Sequence, residues 1–170
     1  MGIRLVPFGD EHVAGMLATI GDPDVLRFTG VPDPTPQDWI GTWRGRFVEH
    51  DDRENLAIVD DEVGEHGGFV GWAVRFAIDR ENGQLELGYA TSPWARGRGV
   101  ATEALRQLTR VALGEGFLRV VLQIQVVNAA SQRIAEKVGY SYEGTQRSVH
   151  HKNGERVDLQ LWSLLPGELV

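Results

Sequence analysis

The chain has 170 residues, 42% of them apolar and 24% charged, proportions that suit one globular domain with its own core. A net charge of -7 argues against a nucleic-acid partner, which needs a basic surface. The absence of cysteine excludes disulfides, thiolate metal sites and a thiol nucleophile. No apolar run approaches membrane-spanning length, and Met1 to Pro7 carries no signal-peptide core, so a cytoplasmic location without membrane contact is expected.

Ile3 to Phe8 reads as a first strand. Asp10, a candidate N-cap, then opens a helix carrying Val13, Met16, Leu17 and Ile20. Gly30 to Pro36 is too rich in proline for a helix or a central strand. Helical spacing returns from Gln37 to Glu49 with Trp39, Ile40, Trp43 and Phe47. Short apolar runs then predict strands at Asn55–Val59, Gly68–Ile78 and Gln84–Thr91, with an acidic turn at Asp60–Gly67 and another turn at Asp79–Gly83. Gly97 to Gly114 is the clearest helix, with Ala101, Ala104, Leu105, Leu108, Val111 and Ala112 assigned to one face. Leu118–Val126 reads as a central strand and Ala129–Val138 as a helix ended by Gly139. From Tyr140 to Leu165 two strands meet at Lys152-Asn153-Gly154, an Asn-Gly hairpin signal. This order predicts one α+β domain over residues 1–170 with a single parallel crossover near the centre of the sheet.

The stretch Arg96-Gly97-Arg98-Gly99-Val100-Ala101-Thr102 follows a strand stopped by Pro93 and runs directly into the best helix. Small residues there leave backbone N–H groups uncovered, and the positive end of the helix dipole lies beside them, so the turn can hold an anion. Arg96 and Arg98 add charge suited to phosphates. Taken alone, the stretch also fits a glycine-rich turn capping an ordinary helix. Neither G-x-x-x-x-G-K-[ST] nor G-x-G-x-x-G is present, which sets aside a P-loop and a Rossmann site.

These residues resemble the GNAT superfamily of acyl-CoA-dependent N-acetyltransferases, whose phosphate motif [Q/R]-x-x-G-x-[G/A] is matched by Arg96, Gly99 and Ala101. Asn128 to Tyr140 is similar to the family's N-x-x-[S/A]-…-E-K-x-G-[F/Y]. Glu86-Leu87-Gly88-Tyr89, Glu143-Gly144 and Gly154 to Asp158 resemble the RimJ/RimL-type branch. The resemblance runs from about Ile3 to Leu165. It implies a mixed, twisted sheet of about seven strands flanked by about four helices and splayed at its centre. Acetyl-CoA is the implied co-substrate, with no metal, and a homodimer is implied by analogy alone. The pantetheine arm would pair with the backbone of Leu87, Tyr89, Ala90 and Thr91, and the pyrophosphate would sit on the N–H groups of Gly97 to Thr102. Asn128 would bond the pantetheine or cysteamine part.

Transfer to an amine requires loss of a proton, polarisation of the carbonyl oxygen and stabilisation of the leaving thiolate. Glu86, a carboxylate within an apolar strand, is the candidate base; strand alternation also allows it to face solvent or to pair with a neighbouring arginine. A backbone N–H near Tyr89 is the candidate for polarising the oxygen. Many family members place a tyrosine seven positions after the Asn, where this chain has Ala135. Resemblance to the RimJ/RimL-type branch instead carries the acid role to Ser131, which could also serve only to satisfy a backbone N–H. Trp39, Trp43 and Phe47 are candidates either for core packing or for a wall of the acceptor cleft. His150 and His151 point to opposite faces of a strand and make no metal site, though one of them could line the acceptor pocket. Two functions remain open: acetyl transfer to a primary amine, on a protein N-terminus or a small molecule, and a non-catalytic acyl-CoA-binding module or sensor on the same fold.

Overall fold

A computed structural model describes residues 2–63 and 65–170, the side chain of Glu65 excepted. Met1 and the Gly64 position of the predicted acidic turn lie outside the described residues. The chain runs β1 (Ile3–Pro7), α1 (Val13–Ile20), α2 (Pro23–Phe28), α3 (Trp39–Val48), β2 (Glu54–Asp60), β3 (Phe69–Asp79), β4 (Gln84–Thr91), α4 (Val100–Gly114), β5 (Arg119–Gln125), α5 (Ala129–Val138), β6 (Ser141–Lys152) and β7 (Glu155–Leu164). Short 3-10 turns occupy Asp10–His12, Glu65–Gly68 and Pro93–Ala95.

All seven strands form one sheet in the order β1-β2-β3-β4-β5-β7-β6. Every neighbouring pair is antiparallel except β4 and β5, which the α4 crossover joins in parallel. One face packs on α4 and α5 through Leu85, Leu87, Leu105, Leu108 and Val138. The other packs on the early helices through Met16, Ile20, Trp43, Phe69 and Trp72. Leu105 is completely buried in the first of these layers. Leu105→Ala is expected to cost about 2–5 kcal/mol, measured as a lower midpoint in chemical denaturation.

Two expectations need correction and one helix is added. Asp10 is not an N-cap: it begins a 3-10 turn, α1 starts only at Val13, and the Asp10 carboxylate instead accepts from Arg44 at 2.6 Å. Among the described residues five α-helices flank the sheet, the four expected and one not foreseen, because Pro23–Phe28 forms its own short helix. The Asp22 carboxylate caps that helix by accepting from the N–H groups of Asp24 and Val25, and Pro23 presets its first turn. Finally, Leu17 and Val111, assigned to buried faces, are 55% and 49% exposed.

The feature that positions the site is a partial opening of the sheet. β4 and β5 pair only at Gln84–Glu86 with Arg119–Val121. Beyond that point β4 follows β3 as far as Thr91, while β5 follows β7 as far as Gln125. Each strand is held by its other neighbour, so the two diverge and leave one edge of β4 unpaired from Leu87 onward.

Candidate active site

A cleft of about 470 Å³ fills this opening. Its walls are Leu87–Thr91 of β4, Leu122–Gln125 of β5, the start of α4, α5 as far as Lys137, and residues of α2. At one end is the predicted anion cradle. Gly97 and Gly99 adopt φ values of 73° and 80°, a left-handed geometry that glycine reaches without steric cost. Gly99 is also the N-cap of α4. The first intrahelical bond runs from Glu103 N–H to the Gly99 carbonyl at 3.0 Å, so the amides of Val100, Ala101 and Thr102 precede it. A fifteen-residue helix adds its dipole behind those amides.

The two arginines of the loop are differently placed. Arg96 lines the cleft, but its guanidinium is engaged by the carboxylates of Asp22, at 3.2 Å, and Asp24, at 3.5 Å. That contact holds the Asp22 carboxyl below the usual range. Arg98 does not line the cleft and bonds the buried carboxylate of Asp60 at 3.3 Å. Both guanidinium groups are thus engaged by carboxylates, and the backbone amides are what the turn leaves unpaired.

Strand alternation sends Leu85, Leu87 and Tyr89 toward α4 and α5, and Glu86 and Ala90 toward the early helices. Tyr89 meets Ser131 there: the two hydroxyls are 2.8 Å apart. Burial pushes the Tyr89 phenol up to about 12, so it carries its proton at neutral pH. Ser131 is fixed from below as well, since its backbone N–H donates to Asn128 Oδ1 at 3.1 Å. Asn128 thus caps α5 through its oxygen, which leaves its amide nitrogen as the group with donors to offer a ligand. Ala135 is wholly buried in the core. Tyr140 is buried too, with its hydroxyl on Thr109 at 2.7 Å, and does not line the cleft.

On the opposite face Glu86 opens into a second chamber of about 470 Å³ between the sheet and α3. Gln123 Nε2, on β5, donates to Glu86 Oε2 at 3.0 Å. Desolvation dominates that hydrogen bond and raises the carboxyl to about 7. Glu86 is therefore neither a freely solvated carboxylate nor the partner of an arginine. Phe28, Thr29, Leu87, Gly88, Tyr89 and Gln123 line both cavities, so the two spaces meet beside Glu86.

Trp39 and Trp43 are buried and, with Phe47, also wall the second chamber, so packing and cleft lining are combined in the same rings. His150 and His151 are exposed on β6 and line neither of these two cavities. Among the described residues no group of three or more metal-ligating side chains converges, and no helix is long and apolar enough to cross a membrane.

Sequence reasoning missed the Tyr89 side chain, which it considered only for its backbone. The usable signal was that Tyr89 and Ser131 both face the α5 side of the crossover. It also missed Gln123, whose contact with Glu86 depends on strand register, and the Asp22–Arg96 pair, whose members are 74 residues apart.

The profile of the family described as "Acetyltransferase (GNAT) domain" matches residues 3–141. A protein of Bacillus subtilis (strain 168) named "Putative ribosomal N-acetyltransferase YdaF" is 30% identical over 146 residues, covering 85% of this chain and 72% of that protein. Among solved structures, spermidine N-acetyltransferase from Vibrio cholerae, in complex with CoA and spermine, superposes with a TM-score of 0.83 at 13% identity over 98% of this chain and 96% of that one. RimL, a ribosomal L7/L12 alpha-N-protein acetyltransferase in complex with coenzyme A, superposes with a TM-score of 0.82 at 18% identity over 97% and 94%. At such identities the two structures speak for the fold alone. Together with the family match over most of its length, the splayed sheet and the amide cradle place the chain in the GNAT family of acyl-CoA-dependent N-acetyltransferases.

Proposed function

We propose that the domain transfers an acetyl group from acetyl-CoA to a primary amine by direct attack in a ternary complex. The observation that carries this reading is the unpaired edge of β4, which leads from the amide cradle at Gly97–Thr102 to the carboxyl of Glu86. Acetyl-CoA supplies the activated thioester. The chain supplies alignment, which provides much of the rate. Amides of Val100, Ala101 and Thr102 hold the pyrophosphate, the open backbone of Leu87–Thr91 pairs with the pantetheine arm, and Asn128 donates to it. Glu86 takes the proton of the amine, directly or through water. Its value of about 7 is matched to that task near neutral pH. A backbone N–H near Tyr89 polarises the carbonyl oxygen. Ser131, its hydroxyl oriented by the protonated Tyr89, donates toward the leaving sulfur.

Thiol release from acetyl-CoA with a panel of amines tests the reaction. Acetyl-CoA binding without acceleration by any amine would replace the enzyme reading with an acyl-CoA-binding module. Ser131→Ala is expected to lower kcat about 100-fold. Acetyl-CoA affinity should stay nearly constant, because the Asn128 cap uses the backbone N–H that alanine retains. Tyr89→Phe should give a smaller loss in the same direction. An unchanged kcat in Ser131→Ala would remove the hydroxyl from the mechanism.

The acceptor is an amine presented at the second chamber. The names of similar proteins point both to ribosomal protein N-termini and to a polyamine. The chamber itself has features that separate these chemistries.

A further inference from the structure

Resting on the acetyltransferase reading, we infer that the acceptor carries a single positive charge and a bulky apolar group beside its amine, and that polyamines are excluded. The chamber beyond Glu86 is built for apolar surface. Trp39, Trp43 and Phe47 lie four residues apart on α3 and form one ridge along its wall. The two indoles stack at 6.0 Å and 24°, and Phe47 meets Trp43 edge-on at 5.1 Å. Trp72 and Phe76 of β3 line it from the sheet, and Phe28 from the end of α2. An aliphatic or aromatic group entering this space would lose its contact with water against rings already fixed in place.

The charges lining the chamber fit one ammonium and no more. They are Glu86, Asp52, Arg46 and Arg53. Asp52 is taken by the Arg53 guanidinium through two bonds, at 2.9 and 3.2 Å. Glu86 must receive the proton of the reacting amine. Among the described residues lining the chamber, no carboxylate is left for a second or third ammonium. Arg46, on the exposed side of α3, has no hydrogen-bond or ion-pair partner among the described residues, and it would repel such a group. Burying an extra ammonium against aromatic walls without a counter-ion carries a desolvation cost that a polyamine would have to meet. An apolar monoamine meets none.

The same chemistry can come from a free amine or from a protein N-terminus whose first side chain is apolar. The full-length chain with saturating acetyl-CoA would be assayed for thiol release with 2-phenylethylamine, with spermidine, and with a short peptide beginning with phenylalanine, free or blocked at its N-terminus. The expected kcat/KM for the preferred apolar acceptor exceeds that for spermidine by about tenfold or more, the equivalent of burying one to two methylene groups. A faster reaction with the free peptide than with phenylethylamine identifies an N-terminus as the source, and the reverse identifies a small amine. Phe47→Ser should raise KM for the apolar acceptor several-fold with kcat nearly unchanged. Arg46→Glu, at an exposed position that leaves the fold intact, should improve spermidine relative to phenylethylamine. Spermidine used as well as the apolar acceptors by the unaltered chain, or selectivity unmoved by both variants, would overturn the inference while leaving acetyl transfer standing. Thiol release unaffected by every amine would overturn both.

Discussion

Glu86→Gln is expected to lower kcat/KM for the amine about 10²- to 10⁴-fold, the range for loss of a positioned base. Acetyl-CoA affinity should change little, because the Glu86 side chain faces the α3 chamber and does not line the cofactor cleft. Glutamine keeps the shape and can still bond Gln123, so the variant removes basicity with little loss of packing. In the unaltered chain the rate should rise as Glu86 gives up its proton near its value of about 7 and level off above it. The Gln variant should lack that inflection, and equal activity across pH would remove Glu86 from the chemistry. Stability gives an independent reading. Burial raises the carboxyl above its ordinary value of 4.5, so the folded state prefers the protonated form. The stabilisation is fully present below the unfolded value and is lost as pH rises through about 7. Glu86→Gln should therefore raise Tm relative to the unaltered chain at pH 8 and not at pH 4.

Gly99→Asp is expected to weaken acetyl-CoA binding about tenfold or more, read by calorimetry. It places a carboxylate at the N-cap of α4, beside the amides assigned to the pyrophosphate. Two like charges at about 4 Å repel by about 4 kcal/mol at a surface-like effective dielectric, which screening by salt reduces. The φ of 80° at Gly99 is a second cost, since a side chain there adopts the left-handed region. Gly99→Asn separates the two effects. Asparagine tolerates that backbone as well as aspartate does and carries no charge. The Asp variant should bind clearly more weakly than the Asn variant. Equal affinities would show that backbone geometry, and not repulsion of phosphate, accounts for the loss. Unaltered affinity in both, with the fold intact, would sink the cradle assignment.

Features written in a few adjacent residues were legible in the sequence. The Asn153-Gly154 turn has φ of 49° and 84°, the geometry its residue types demand, and the hairpin forms around it. α5 has the predicted bounds because Asn128 caps one end and Gly139 the other. The glycines at 97 and 99 marked the left-handed turn before α4 for the same local reason. Helix α2 was missed because six residues are too few to show a hydrophobic period, although Asp22-Pro23 is a start signal. Neither the partners of Arg96 and Arg98 nor the Gln123 amide on Glu86 could be found locally. They depend on which distant segments the fold brings together. The splay was legible only by resemblance: β4 and β5 each read as an uninterrupted strand, and the place where they part depends on their outer neighbours.

That parting gives one sheet two kinds of margin. Its outer margins are β1 and β6, as in any open sheet. A second pair lies inside the molecule, where β4 and β5 stop bonding each other after Glu86 and Val121. Unsatisfied strand edges on a surface invite pairing with other chains and, from there, aggregation. Here the unpaired backbone lies within a cleft that α2, α4 and α5 help to line. The fold thus keeps an unpaired hydrogen-bonding edge inside a lined cleft as well as at its outer strands.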